Sequence, residues 1–331
     1  MPDIPLRVEA AAYHGRVVFF KIIGPWTQPN ELQAGQSRPV FFPILAFGLM
    51  SAAALLAWRN HRQGKGDRQG AIRLVLFGFG AQMLFRLLTA SHVPTGDELS
   101  LIGEGVSAAL FSSAMVWVLY IALEPYVRRR WPTTLIMWSR ALVGKFADPL
   151  VGRDLLIGIL FGLCFTLLWK LPNLTASQPA ADVELEILLG VRFVVGDLLR
   201  STSGAVFVAL TFTFLLTLLR VLLRRDWIAG AVVVVMCVLP GLLSTSLSVA
   251  AVGLTFGSLI VLTFIRFGLL ALAVSLMIFF WLNSLPFTTN LSAWYAGTSL
   301  FGMSLVTALA GYAFHTSLGG KSVFEGKLLE D

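Results

Sequence analysis

YIALEPYVRRRWP, residues 120–132, carries an apolar run into a Glu-Pro pair and then into three consecutive arginines, Arg128, Arg129 and Arg130. Adjacent cations stand out in a chain of 331 residues that is 56% hydrophobic and only 13% charged. Soluble domains carry about 25% charged residues. With a mean hydropathy of +0.79, the chain has more apolar surface than one interior can take up, so lipid is the expected solvent for most of it. In that setting the arginines read as a boundary. The run before them enters the bilayer, and they stay in a short cytoplasmic loop among anionic head groups. Pro125 cannot donate a helical hydrogen bond and is expected to end the helix at that face.

Working outward, a helix needs about 20 mainly apolar residues to cross the hydrocarbon. Such runs occur at 40–58, 72–91, 105–123, 155–171, 203–223, 227–244, 247–265, 267–284 and 294–314. The pair around Pro240 and Gly241 can also be read as one broken helix. Basic residues alternate with these runs. Arg59, Arg62, Lys65, Arg68 and Arg73 follow the first, and the arginine triplet follows the third. Arg220, Arg224 and Arg225 follow the fifth, Arg266 the seventh, and Lys321 and Lys327 the last. The intervening loops are poor in cations, which is the positive-inside pattern with the N-terminus outside and the C-terminus cytoplasmic. The net charge of +7 is thus a matter of orientation, and no nucleic-acid partner is expected.

Two stretches read as interfacial. Residues 133–146 place Leu135, Trp138 and Leu142 on one helical face, with Arg140 and Lys145 elsewhere. Residues 186–201 hold Arg192, Asp197 and Arg200, too much charge to span alone, and read as an outer interfacial or re-entrant segment. The chain opens without a basic start and apolar leader. It reads there as two strands, Leu6–Tyr13 and Arg16–Ile23, turning at His14-Gly15. The expected fold is an all-α integral membrane protein of about nine transmembrane helices, with interfacial helices and a short N-terminal β-hairpin outside. Its parts are an extracytoplasmic tail (1–39), a polytopic helical domain (40–320) and a cytoplasmic tail (321–331).

Catalytic patterns are missing from the sequence. QGKGDRQG lacks the first glycine and the hydroxyl of a phosphate-binding loop. GFGAQM (78–83) lies within a membrane run, where glycines serve helix packing. His14, His61, His92 and His315 are scattered, and no kinase motif occurs. Cys164 and Cys237 sit mid-run and read as small core residues. No catalytic residue, metal or cofactor is expected. Ionisable groups near the membrane remain as pointers, because charge in lipid is costly unless paired or wetted. Arg86 and Glu104 are placed to form an ion pair pinning two helices, or with Gln82 to form an outward pocket. Glu124 is four residues before Arg128, a spacing that suits a local pair. In FADPLVGRDLL (146–156), Asp154 is placed to cap the fourth span. Arg128, Arg129, Arg130, Arg140, Asp148, Arg153 and Asp154 together form a candidate cytoplasmic docking surface.

The stretch YIALEPYVRRRWPTTLIMWSRALVGKFADPLVGRDLLIG (120–158) resembles the membrane region that follows the catalytic domain in acidobacterial-type serine/threonine protein kinases. VVFFKIIGPWTQP (17–29) and FHTSLGGKSVFEGKLLED (314–331) resemble it too. The kinase domain has no counterpart here, so no catalytic residue carries over. The resemblance implies a bacterial inner-membrane module that senses or anchors, with the lipid bilayer and a kinase, or another membrane-complex subunit, as partners. Two other readings stay open. One is a transporter or channel with its pathway near Gln82, Arg86 and Glu104. The other is a structural subunit whose hairpin pairs with another chain's sheet edge.

Overall fold

The computed structural model describes residues 7–13, 16–24, 41–90, 92, 96–175, 185–243, 247–288, 290 and 292–319. His14-Gly15, residues 25–40, and the tail with Lys321 and Lys327 lie outside the described residues. The chain divides into two compact units, 1–49 and 50–331. In the first, β1 (Arg7–Tyr13) pairs antiparallel with β2 (Arg16–Ile23), Arg7 opposite Ile23, with an irregularity between Ala11 and Ala12.

The helices are α1 (Phe41–Arg62), α2 (Arg68–Thr89), α3 (Asp97–Arg130), α4 (Ile136–Leu142), α5 (Pro149–Thr175), α6 (Val191–Leu223), α7 (Asp226–Leu243), α8 (Leu247–Phe267), α9 (Leu269–Ser284) and α10 (Ala296–Ser317). Short 3-10 turns at Pro132–Leu135 and Leu185–Leu189 lead into α4 and α6. Among the described residues, eight helices (all but α4 and α9) are long and apolar enough to cross a membrane. Their outward side chains are apolar: Leu167 is 72% exposed and Leu247 85%. Surface of that kind is stable against lipid and not against water. At 16 residues, α9 is about 24 Å long, short of a hydrocarbon core of about 30 Å. It is apolar all round and buried on nearly every face, because α5, α6 and α8 surround it.

Glycine seams set the closest helix contacts. Gly158 and Gly162 of α5 lie on α9: a methyl at Gly158 would come within 2.7 Å of Val274 Cβ, and one at Gly162 within 2.6 Å of Ile278 Cβ. The two contacts advance together along both chains, so α5 and α9 run parallel. Gly253 and Gly257 of α8 meet the backbone and side chain of Cys237, and Gly241 meets Ala250, so α7 and α8 run antiparallel. Small residues four apart let backbones approach and gain van der Waals contact where lipid offers no hydrophobic drive. Cys164 and Cys237 are half-buried and free.

Three sequence expectations are corrected here. Pro125 does not end its helix; α3 runs on to Arg130 with Pro125 inside it. Residues 191–201 are not a separate interfacial or re-entrant segment, because α6 is one continuous helix of 33 residues. Its charge is tolerated since buried Asp197 is paired with Arg200 at 2.8 Å and accepts from Ser201 Oγ at 3.3 Å. Asp154 is not the cap of α5. That helix starts at Pro149, and Asp148 Oδ1 accepts from Leu150 N at 2.9 Å.

Candidate functional site: a polar cleft at the basic end of the bundle

Contacts fix which helix ends share a side. An Arg73 nitrogen donates to the Leu142 carbonyl at 3.3 Å. Gly268 touches the Thr134 backbone, and Gly152 touches the backbone of Ala313 and Ser317. The ends of α1, α3, α6, α8 and α10 therefore gather with the starts of α2, α5, α7 and α9, and α4 lies among them. This end holds Arg59, Arg62, Lys65, Arg68, Arg73, Arg128, Arg129, Arg130, Arg140, Lys145, Arg153, Arg220, Arg224, Arg225 and Arg266. Past residue 49, the opposite end has only Arg86, Lys170, Arg192 and Arg200 among the described residues.

The α1–α2 turn sits against α3 through a chain of polar contacts. Gly64 and Gly66 take positive φ (64° and 110°), which side-chain-bearing residues adopt only with strain. Their turn brings Asp67 to the start of α2, where Oδ1 accepts from Gly70 N at 2.9 Å and caps the helix. The other carboxylate oxygen accepts from buried Tyr120 Oη at 3.3 Å. No side chain fits at Gly70, since a methyl there would meet Asp67 and lie 2.9 Å from Tyr120 Oη. Asn60, 3% exposed, donates to the carbonyls of Ile121 (3.0 Å) and Ala122 (3.3 Å). A proline lacks the N–H that would bond the carbonyl four residues back. For Pro125 that carbonyl is Ile121's, so the Asn60 amide replaces the missing donor. This is the physical reason α3 continues through its proline.

Continuation of α3 places the arginine triplet on its last turn, where cations are favoured by the helix dipole. Arg128 Nε pairs with buried Glu124 Oε1 at 2.6 Å. Arg129 and Arg130 are exposed and make no hydrogen bond or ion pair with any described residue. A polar cleft of about 550 Å³ opens here, lined by Lys65, Gly66, Asp67, Glu124, Pro125, Arg128 and Arg129. The other members of the expected docking surface pair with one another. Arg140 holds Asp148 at 2.6 Å, and Arg153 holds Asp154 at 3.0 Å, with Asp154 buried. Asp148 also accepts from the start of α5; that bond and the Arg140 guanidinium hold its carboxyl below the usual range. What remains free to act on a partner is Arg129 and Arg130, two guanidinium forks suited to carboxylate or phosphate.

At the opposite end the residues of the expected polar pocket do not converge. No ion pair joins Arg86 to Glu104; the Arg86 stem lies against Gly105, and both charged groups are exposed. Gln82 lines a cavity of about 330 Å³ with Ser113 and Arg200, which Arg86 and Glu104 do not line. Arg192 covers the Phe193 ring at 4.6 Å. Among the described residues, no group of three His, Cys, Asp or Glu converges to hold a metal. No protein-family model matches the chain, and comparison with curated proteins and with solved structures returns no match.

His92 was passed over in the sequence and is tied into this end of the bundle. Nδ1 lies 2.6 Å from Glu98 Oε1 and Nε2 lies 2.9 Å from the Leu87 carbonyl. Both neighbours are acceptors, an arrangement that favours the doubly protonated ring. The Leu87 carbonyl, and then Glu98, raise its pKa above 6.5, while Arg192 opposes them. The sign follows from linkage: this contact contributes fully below about 6.5 and is lost as pH rises through the folded value. The thermal midpoint of His92→Asn in detergent should therefore fall below the parent's at about pH 5.5, and the gap should close by about pH 8.5. A gap that stays constant with pH would refute an imidazolium here.

Proposed function

We propose that the chain is a non-catalytic, multi-pass signalling anchor of a bacterial cytoplasmic membrane that docks a serine/threonine kinase on its basic end. The observation that carries this reading is the unpaired, exposed state of Arg129 and Arg130 beside a cleft in which Arg128 is already matched by Glu124. Cations left without partners at a rigid helix end are available to a phosphorylated or acidic surface. The arrangement of basic residues at one end supports an N-out, C-in topology. In that topology α9 makes the ninth crossing, its short length covered by protein on nearly every face. The kinase itself is proposed on the resemblance of residues 120–158.

The test is a tagged chain expressed in its native host, extracted gently and analysed by mass spectrometry. A serine/threonine kinase should be recovered in near-equal amount. The double variant Arg129→Gln/Arg130→Gln should be extracted at the parental yield and recover about tenfold less of it, the loss of one to two charge-assisted bonds. Recovery of the chain alone, or undiminished recovery with the variant, defeats the proposal.

A further inference from the structure

In the polar cleft, acids and cations are engaged differently. Asp67 accepts from Gly70 N with one oxygen and from Tyr120 Oη with the other, and Glu124 accepts from Arg128 Nε and from the Asp67 backbone N–H. Both carboxylates are thus satisfied inside the fold. The donors are not. Lys65 Nζ gives one hydrogen bond, to Gln63 Oε1 at 2.8 Å, and keeps two protons for other acceptors. Arg129 makes no hydrogen bond or ion pair with any described residue. Arg128 engages only Nε, so its terminal nitrogens reach no acceptor among the described residues, although Glu124 offsets its charge. One residue ties the two walls together. The Asn60 carbonyl accepts from Lys65 N at 2.9 Å, while the Asn60 amide holds α3 at Ile121 and Ala122. Donors from the α1–α2 turn and from the last turn of α3 therefore line one space of about 550 Å³.

We propose that this cleft receives the phosphate monoester of a phosphorylated serine or threonine on the docked partner, held between Lys65 and the Arg128–Arg129 edge of α3. The inference rests on the docking reading above and names the group that is docked. Unsatisfied donors call for an occupant that accepts and carries negative charge. A carboxylate brings one charge and two oxygens in a plane, which a single arginine fork satisfies. A phosphate monoester brings about −1.5 to −2 charge and three acceptor oxygens, which suits donors arriving from two walls. Pro125 is the one apolar side chain among the described residues that line the space, so the chains of a lipid find no wall here. A free phosphate would fill only a small part of it, whereas a side chain on a peptide brings flanking backbone as well.

Fluorescence anisotropy on the full chain in neutral detergent tests the assignment. The probe is a labelled glycine-serine peptide carrying one phosphothreonine. It should bind about tenfold more tightly than the same peptide with glutamate at that position, and the threonine peptide should not bind. Lys65→Gln and Arg129→Gln should each weaken the phosphopeptide about tenfold. Arg225→Gln removes an exposed cation at the same end but outside the cleft, and should leave binding unchanged. Equal binding of the glutamate or threonine peptide, or parental binding by both cleft variants, overturns the proposal. So does an equal loss with Arg225→Gln, which would reduce the effect to net charge. Displacement of the probe by inorganic phosphate at the peptide's own concentration would make the cleft a simple anion site, and displacement by micelles doped with phosphatidic acid would make it a lipid site; either overturns the proposal. Should a variant misfold on a sizing column, the parent's preference for phosphothreonine over glutamate decides alone. A recovered kinase without phosphopeptide binding defeats this inference and leaves the docking reading standing. Phosphopeptide binding without a recovered kinase upholds the cleft and defeats the kinase reading.

Discussion

Gly162→Leu should destabilise the folded chain by about 3 kcal/mol or more, the upper end of overpacking costs. The first atom of any side chain at 162 falls 2.6 Å from Ile278 Cβ and 2.7 Å from the Ser275 carbonyl. One neighbour is a branched carbon and the other is backbone, so neither moves aside without moving α9. In turn α9 is buried among α5, α6 and α8, and its Trp281 Nε1 donates to Leu198 O (3.2 Å) and Thr202 Oγ1 (3.1 Å) of α6. Displacing it breaks contacts on several helices at once. Gly80→Leu is the control: a side chain there meets nothing within 4 Å, and the position is exposed. Leucine also has better helix propensity than glycine by about 1 kcal/mol. Thermal midpoints in mild detergent should drop for Gly162→Leu and hold or rise for Gly80→Leu. Similar midpoints for the two would mean that the α5–α9 seam does not organise the bundle.

What the sequence makes legible and what it hides follow from the range of the forces involved. Apolar runs and basic loops are local, so the long helices and the gathering of cations at one end could be read from residue order. Pro125, Asp197 and Asp148 could not, because each is settled by a residue elsewhere or by the exact helix start. Pro125 is a helix breaker unless Asn60, from another helix, covers the Ile121 carbonyl. Asp197 and Arg200 look like obstacles to a span until their ion pair is counted. Asp154 reads as the cap while the span is taken to start at 155, but α5 starts at Pro149 and its first turn selects Asp148. In the cleft, the triplet and the Glu124–Arg128 pair were visible from spacing. Asn60, Asp67 and Tyr120 were not, although a proline inside an apolar run signals an orphan carbonyl four residues back and hence a donor to look for. The triplet itself divides. Glu124 neutralises Arg128, so the number of adjacent arginines overstates the charge presented to a partner.

That division makes the Asn60–Pro125 relation the most informative one to test by a double-mutant cycle. Asn60→Leu leaves the Ile121 carbonyl buried and without its donor, at an expected cost of about 1–3 kcal/mol. Pro125→Ala restores a backbone N–H for that carbonyl and removes the ring's conflict with the preceding turn, so alone it should be neutral or stabilising. Combined, the loss from Asn60→Leu should shrink by at least about 1 kcal/mol, because the helix now supplies the donor. Each change is small in volume, which keeps the cycle interpretable. Backbone hydrogen exchange gives the second readout. Asn60→Leu should speed exchange over 126–130, as the last turn of α3 frays, and Pro125→Ala should reverse it. Arg129 and Arg130 would then lose and regain their fixed presentation with that turn. Additive costs with unchanged exchange would mean that α3 holds its last turn without Asn60, and that the polar cleft is not built on the proline's missing hydrogen bond.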